Sequence, residues 1–492
     1  MLIPITACQL RRFISITILL FLSFYGNAQI GIGINPPDAS AMLHVQDTAR
    51  GMLIPRMTAA QKTAINNPAE GLMIYQTNES TGFWYFTHGA WTAVSNGGKN
   101  AIVLRGDISN SEAQAKITAE AGPSTQIIKI IDCNNITNLD LSMVSGGLTQ
   151  LWLQNNVQLQ NITLGNITTI EDTFLISNCP QLTSINLPQL KKLNSQLRLV
   201  NTGLTSLSLP LLDRITGSIV ITGNSNLTAV SMPLVTNATT GYSLLIQNNN
   251  KLTSVDMRSL VKAISFTISN NRKLNTINFN SLSSTTYGLD IVSDSSLTSI
   301  SFPVLTSVGA NNDIEIAGDS SLVSLSLPLL TSATSLYIAN LNLQTITFTS
   351  LSSLAYDLTI YSSAASTISF PALTSVSSIN IAYHPLLTSV NLPVLASVQS
   401  PVPIYQGGIY SNPLLTAINW PNLNSISMIE NAHFNSNRLP SSEVNEILAK
   451  LVAGGMGNGT IDVRQTPAAP PTGQGITDKA TLLSRNNVVN TN

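Results

Sequence analysis

Charge is scarce in this chain. Asp, Glu, Lys and Arg make up only 10% of its 492 residues, and the formal net charge is −1, whereas globular proteins are about a quarter charged. That leaves no basic field for nucleic acid or for an anionic membrane surface. Histidine is nearly as rare. The four histidines, His44, His88, His384 and His433, have no catalytic partner at motif spacing. H-E-x-x-H, G-x-S-x-G, a phosphate-binding glycine loop and paired C-x-x-C are all missing. An enzyme is therefore not expected, nor a cofactor or a metal site. No hydrophobic run reaches the roughly 20 residues of a membrane-crossing helix.

What replaces charge is Ser, Thr and Asn, on a chain that is still 43% hydrophobic. Such a chain folds, and shows water a neutral, hydroxyl-rich surface. Its most apolar run, Phe13 to Leu22, follows Arg11 and Arg12 and precedes Gly26-Asn27-Ala28. This order reads as a signal peptide over residues 1–28, with a retained anchor as the alternative. Export to the cell surface or beyond is the expected localisation.

Residues 29–95 are not repetitive. A short helix is expected from Ala59 to Asn66, then aromatic runs parted by His88-Gly89, the pattern of a small β-meander. As a whole the segment resembles the tail-fibre-like N-terminal module that precedes many secreted bacterial surface proteins. Trp84 and Trp91 offer a stacking platform for sugars or fill the core of this small domain, the commoner fate of such side chains. Residues 96–126 read as a linker and an N-capping helix that opens at Ser111, with Gln114 completing a capping box.

From residue 127 to 436 one phrase recurs. It reads Leu182-Thr-Ser-Ile-Asn-Leu-Pro188, Leu204-Thr-Ser-Leu-Ser-Leu-Pro210, Leu297-Thr-Ser-Ile-Ser-Phe-Pro303 and Leu387-Thr-Ser-Val-Asn-Leu-Pro393, with weaker copies between. Spacing is about 23 residues and the copies number about thirteen. Upstream of each lies an alternating half such as Leu151-Trp152-Leu153-Gln154-Asn155-Asn156, a strand with one buried face. Together the halves spell the leucine-rich repeat signature, and the Leu-Pro-rich, two-strand pattern resembles receptor L domains. The resemblance implies a mainly β, right-handed β-helix-like solenoid with one strand before a turn and one before the proline. Residues 437–492 read as a C-terminal cap, with helices opening at Ser442 and near Thr477-Asp478 and a last strand from Gly459 to Val463.

Three residues before the repeat leucine stands a polar column: Cys133, Asn156, Cys179, Asn201, Asn224, Asn249, Asn271, Asp294, Asp319, Asn340, Ser362, His384 and Asn412. Short polar side chains at a turn satisfy inward-facing backbone groups, so this column is read as structural. Cys133 and Cys179 fall two turns apart, about 9.6 Å, beyond the about 7 Å that a disulfide allows; two free, buried thiols are expected. Asp294 and Asp319 fall on neighbouring turns, where Ca²⁺ binding, a shared proton and plain loop solvation are the competing readings. Outward strand positions read as mainly Thr, Ser, Asn, Val and Ala, without the carboxylate cluster of a polysaccharide-cleaving β-helix. The large outward residues come late: Tyr337, Tyr356, Tyr361, Tyr383, His384, Tyr405 and Tyr410. Tyrosine suits recognition sites, which makes Tyr337, Tyr361, Tyr383, Tyr405 and Tyr410 the candidate ligand-binding residues. The expected function is non-catalytic binding of an extracellular protein or glycan. A structural spacer and a polysaccharide-active enzyme are the alternatives.

Overall fold

Alternation of large apolar residues puts two side chains of each long strand inward, and stacking buries them against the turns above and below. Leu151 and Leu153 pair with Phe174 and Ile176, these with Leu197 and Leu199, and these with Ile219 and Ile221. All eight are buried in one continuous core. The structure, a computed structural model, describes residues 29–492 except 79–80, 95–97, 239–242, 310–312, 400–406 and 428–429. The signal-peptide segment and Tyr405 lie outside the described residues. By its contacts the chain divides into two compact units, Met1–Ser95 and Asn96–Asn492.

The second unit is a parallel β-solenoid. A typical turn carries three strand segments where the sequence suggested two. The long strand, for example Ser265–Ser269, is followed by a three-residue strand, Thr276–Asn278, and by a two-residue strand, Ser284–Thr285. Each type pairs in parallel with its own kind on a neighbouring turn. The proline phrase makes the corner between the second and third strands. Leu212 N–H donates to Leu209 C=O, and Leu395 N–H to Leu392 C=O, so Pro210 and Pro393 occupy the second position of a β-turn, where a fixed φ is favourable. The third strand is too short for its alternation to show in sequence, which is why it was missed.

The stack is also longer than residues 127–436. Ala101–Arg105 pairs with Ile127–Ile131 ahead of it, and Thr460–Asp462 and Val488–Asn490 follow its last repeat. Gly459 to Val463 is therefore not the last strand. The N-capping helix spans Asn110–Glu120 and buries Ala113 and Ile117; its cap is Ser109 with Glu112, two residues ahead of the expected Ser111 and Gln114. At the other end, the helix Ser441–Ala453 buries Val444, Ile447, Leu448 and Leu451, and begins at Pro440 without a side-chain cap. The final helix begins at Gly473, so Thr477 and Asp478 lie inside it rather than at its cap. No helix among the described residues is long and apolar enough to cross a membrane.

In the first unit, Met73–Gln76, Gly82–Thr87 and Ala90–Ala93 form an antiparallel meander to which Arg56–Met57 adds in parallel. Between them, the helix Ala59–Thr63 is capped by Thr58 and Gln61. Lys62 Nζ sits 3.3 Å from the centre of the Trp84 ring, and Phe86 packs edge-to-face on Trp91. Both tryptophans thus take part in packing within the small sheet.

Candidate functional site

The polar column of the repeats is two columns. The outer one holds Asn155, Asn178, Asn201, Asn248, Asn270 and Asn340, all at φ between 51° and 58°. Asn tolerates this left-handed conformation better than most residues. Where the column holds Gly223 and Gly318, φ rises to 70° and 74°, which glycine adopts freely.

The inner column is buried: Asn156, Asn224, Asn249, Asn271, Asp294, Asp319, His384 and Asn412. Each Asn bridges turns. Asn249 Oδ1 accepts Asn224 N–H at 3.0 Å, while its Nδ2 donates to Ile221 C=O at 3.0 Å. Asn201, Asn340 and Ser362 do not belong here. Their turns are one residue shorter, so counting back from the leucine lands in the outer column. Thr202, Leu341 and Ser363 hold the buried places, and the column runs on to Asn437, whose Oδ1 accepts Asn412 N–H. Cys133 and Cys179 are free and buried. Asn156 lies between them, its Oδ1 accepting Cys133 N–H at 3.1 Å and its Nδ2 lying 3.9 Å from Cys179 Sγ. Burial pushes both thiols up from their ordinary values.

The outward face of the long strands brings the tyrosines together. Ring centroids follow at 6.4 Å from Tyr337 to Tyr361, 6.1 Å to Tyr383, 5.7 Å to Tyr410 and 5.8 Å to His433. Tyr356 is exposed on the preceding turn and Tyr383 is 54% exposed, but Tyr410 is only 6% exposed. Its expected role as an outward contact is therefore corrected. Tyr383 and His433 pack against its ring, and its hydroxyl shares hydrogen bonds with those of Tyr361 and Tyr383, which together with burial push its pKa up. Successive rings are inclined by 51° to 80°, so they form an edge-to-face chain rather than a flat shelf.

Carboxylates adjoin this chain, against the expectation of an uncharged strand face. Strand pairing sets Asp290 beside Glu315 and Glu315 beside Tyr337. Asp313 immediately precedes the strand Ile314–Ala317, and Asp357 opens the strand Asp357–Tyr361. Burial raises the pKa values of Asp290, Glu315 and Asp357; the hydroxyl of Thr267 bonded to Asp290 opposes its rise, Asp290 repels Glu315, and Asp313 repels all three. Glu315 in turn pushes the Tyr337 phenol up, after burial. Asp290 and Glu315 each stand seven residues before their repeat leucines, Leu297 and Leu322, so the repeat register already sets them on neighbouring turns, whereas Asp313, Asp357 and Tyr337 stand at other offsets. None of the ion pairs among the described residues involves them. Nor does any group of three or more His, Cys, Asp or Glu among the described residues have metal-binding geometry.

A second concave feature is an open trough of about 610 Å³ along the two-residue strands, lined by Ser307, Ser332, Ser353, Ser375 and Ser397. Inward of it lie Val308, Leu354, Val376 and Val398, all buried. Its lining carries no charged group.

Residues 31–111 match the family described as the phage tail like trimerisation region. No curated protein matches the chain. Among solved structures, a leucine-rich repeat protein from Bacteroides ovatus ATCC 8483 aligns over 75% of this chain and 94% of its own length, at 15% identity and a TM-score of 0.31. At that score the likeness is slight, and the architecture rests on this chain's own strand pairing. The chain thus carries a leucine-rich, repeat-built β-solenoid behind a segment similar to phage-tail trimerisation regions.

Proposed function

We propose that this chain is an exported, non-catalytic binding protein that presents the long-strand face of its solenoid to an extracellular protein or glycan. The observation that carries the reading is the aromatic chain from Tyr337 to His433. Aromatic rings supply flat apolar area at little entropic cost, and such residues dominate recognition surfaces. The first unit fits a role in assembly: Ile30, Ile32, Leu43, Leu53 and Phe83 are all at least 46% exposed, a surface that a monomer rarely leaves in water. With the match over residues 31–111, this favours a trimer that multiplies weak contacts by avidity. Export rests on the order of charges and apolar residues in 1–28.

The test screens the mature chain against glycan and extracellular-protein arrays and against a panel of polysaccharides for turnover. Binding without turnover supports the reading; turnover, or no binding of any class, overturns it. Light scattering should give the mass of three chains, reduced by Leu53→Asp together with Ile32→Asp. The carboxylates around Glu315 favour a second reading, a polysaccharide-active enzyme. In that case Glu315→Gln abolishes turnover of a panel member.

A further inference from the structure

We propose that the strand face bearing Tyr337, Tyr361 and Tyr383 docks a basic, extended protein segment, its lysine and arginine side chains seated on Asp290, Asp313, Glu315 and Asp357. The inference rests on the binding role above and names the partner's chemistry.

Three observations favour a cationic protein over a sugar. The first is ring geometry. A pyranose stacks on a ring whose face is open, but here neighbouring rings are tilted by 51° to 80° and pack on one another. The ring edges left outward, as at the half-exposed Tyr383, suit side chains entering from several directions.

The second is uncompensated charge. On a chain of net charge −1, these carboxylates have no ion-pair partner among the described residues. Along the same column of outward positions the nearest cation is Arg198, separated from Asp290 by Val220, Leu245 and Thr267. Burial, with repulsion from Asp313 on both and from Asp290 on Glu315, makes the ionised forms of Asp290 and Glu315 unfavourable. An incoming ammonium or guanidinium group relieves that repulsion, and can also lie against the tyrosine rings.

The third is continuity. Asp290, Glu315 and Tyr337 occupy one column on successive turns. At about 4.8 Å per turn, the path from Asp290 to Tyr383 covers about 20 Å, the reach of about six extended residues.

The test uses the full mature chain and an octapeptide of alternating lysine and glycine as probe, with a glutamate–glycine octapeptide, a glucosamine hexamer and an N-acetylglucosamine hexamer beside it. The lysine peptide should bind, weaken with salt, and bind more tightly at pH 8 than at pH 5 as the carboxyls ionise. Asp290→Asn with Glu315→Gln should cost at least tenfold in affinity, and Tyr383→Ala several-fold, with the β-sheet circular dichroism spectrum retained. Thr228→Ala, which lies outside this face, should leave affinity unchanged. Equal binding of both peptides, full affinity in the double variant, or no binding of the lysine peptide overturns the proposal. Capture of the glucosamine hexamer alone overturns the partner class. In each case a ligand found on the arrays leaves the binding role standing, whereas turnover removes it.

Discussion

Asp319 Oδ1 accepts the backbone N–H of Asp294 from the next turn at 2.5 Å, and the Oδ2 atoms of both carboxyls are buried without a hydrogen-bond partner. Elsewhere in the column that second atom is an Asn Nδ2 donating to a carbonyl, as from Asn271 to Ile246 at 3.0 Å. By the same periodicity the carbonyls available to Asp294 and Asp319 are those of Ile268 and Ile291. Only a protonated Oδ2 can donate to them, so the neutral acid imitates the amide.

Burial accordingly pushes both carboxyls up to about 7 from 3.8. A carboxyl whose pKa is higher folded than unfolded holds its proton more tightly in the native state. Its contribution to stability is complete at acid pH and is lost as pH rises from about 4 to about 7. The upper bound is about 4 kcal/mol per group, less for a coupled pair. Asp294→Asn and Asp319→Asn should therefore stabilise the chain, with an advantage over the wild type that grows between pH 5 and pH 8 in denaturant melts. An advantage that is constant across pH would refute the imitation.

Asn224 tests the ladder directly. It accepts the N–H and hydroxyl of Thr202 at 2.9 and 2.6 Å and donates to Leu199 C=O at 3.1 Å. Asn224→Leu strands these groups in the core and should cost about 1–3 kcal/mol. Thr228 is exposed, and its hydroxyl bonds Thr205 C=O at 2.8 Å; Thr228→Ala should cost about 0.5 kcal/mol. Equal shifts in the urea midpoint would show that buried and exposed columns are not energetically distinct.

The thiols give a third expectation. With Asn156 between them, Cys133 and Cys179 cannot meet in the native fold. Neither should react with a thiol reagent before unfolding, and both should react afterwards whether or not the sample was first oxidised. Loss of labelling after oxidation would mean that the two turns separate enough to bridge.

What sequence reveals here is what a single repeat determines. The Leu-Pro phrase and its inward leucines were legible because turn chemistry and alternation are local. The slip at Asn201, Asn340 and Ser362 was not, because a turn one residue shorter leaves the leucine in place and moves only the residues before it. The carboxylate pair was legible from the repeat, since Asp290 and Glu315 each stand seven residues before Leu297 and Leu322, but turns one residue shorter put Tyr337 and Asp357 at other offsets and hid the rest of the cluster. Tyrosine clustering was visible as a late enrichment, but not the burial of Tyr410, which depends on its neighbours' ring orientations.

His384 should respond to pH with the opposite sign to the aspartates. It stands in the same buried column, where its Nδ1 accepts Ser363 N–H at 3.2 Å and its Nε2 lies 3.0 Å from Ile360 C=O. Accepting the Ser363 N–H at Nδ1 puts the neutral ring's proton on Nε2, facing the Ile360 carbonyl, and the Ser363 hydroxyl also lies 2.8 Å from Nδ1. Burial lowers its pKa below the ordinary 6.5. A histidine whose pKa is lower folded than unfolded contributes stability that is present above 6.5 and lost as pH falls below it. His384→Asn places the column's usual amide there, with Oδ1 for the Ser363 N–H and Nδ2 for the carbonyl, as Asn412 Nδ2 serves Ile381 at 3.1 Å. Relative to the wild type, this variant should gain stability on going from pH 7.5 to pH 5, by about 1 kcal/mol for each unit of pKa shift it removes. The aspartate variants lose their advantage over the same interval. Parallel pH profiles for the two kinds of variant would show that the column does not set these groups' protonation.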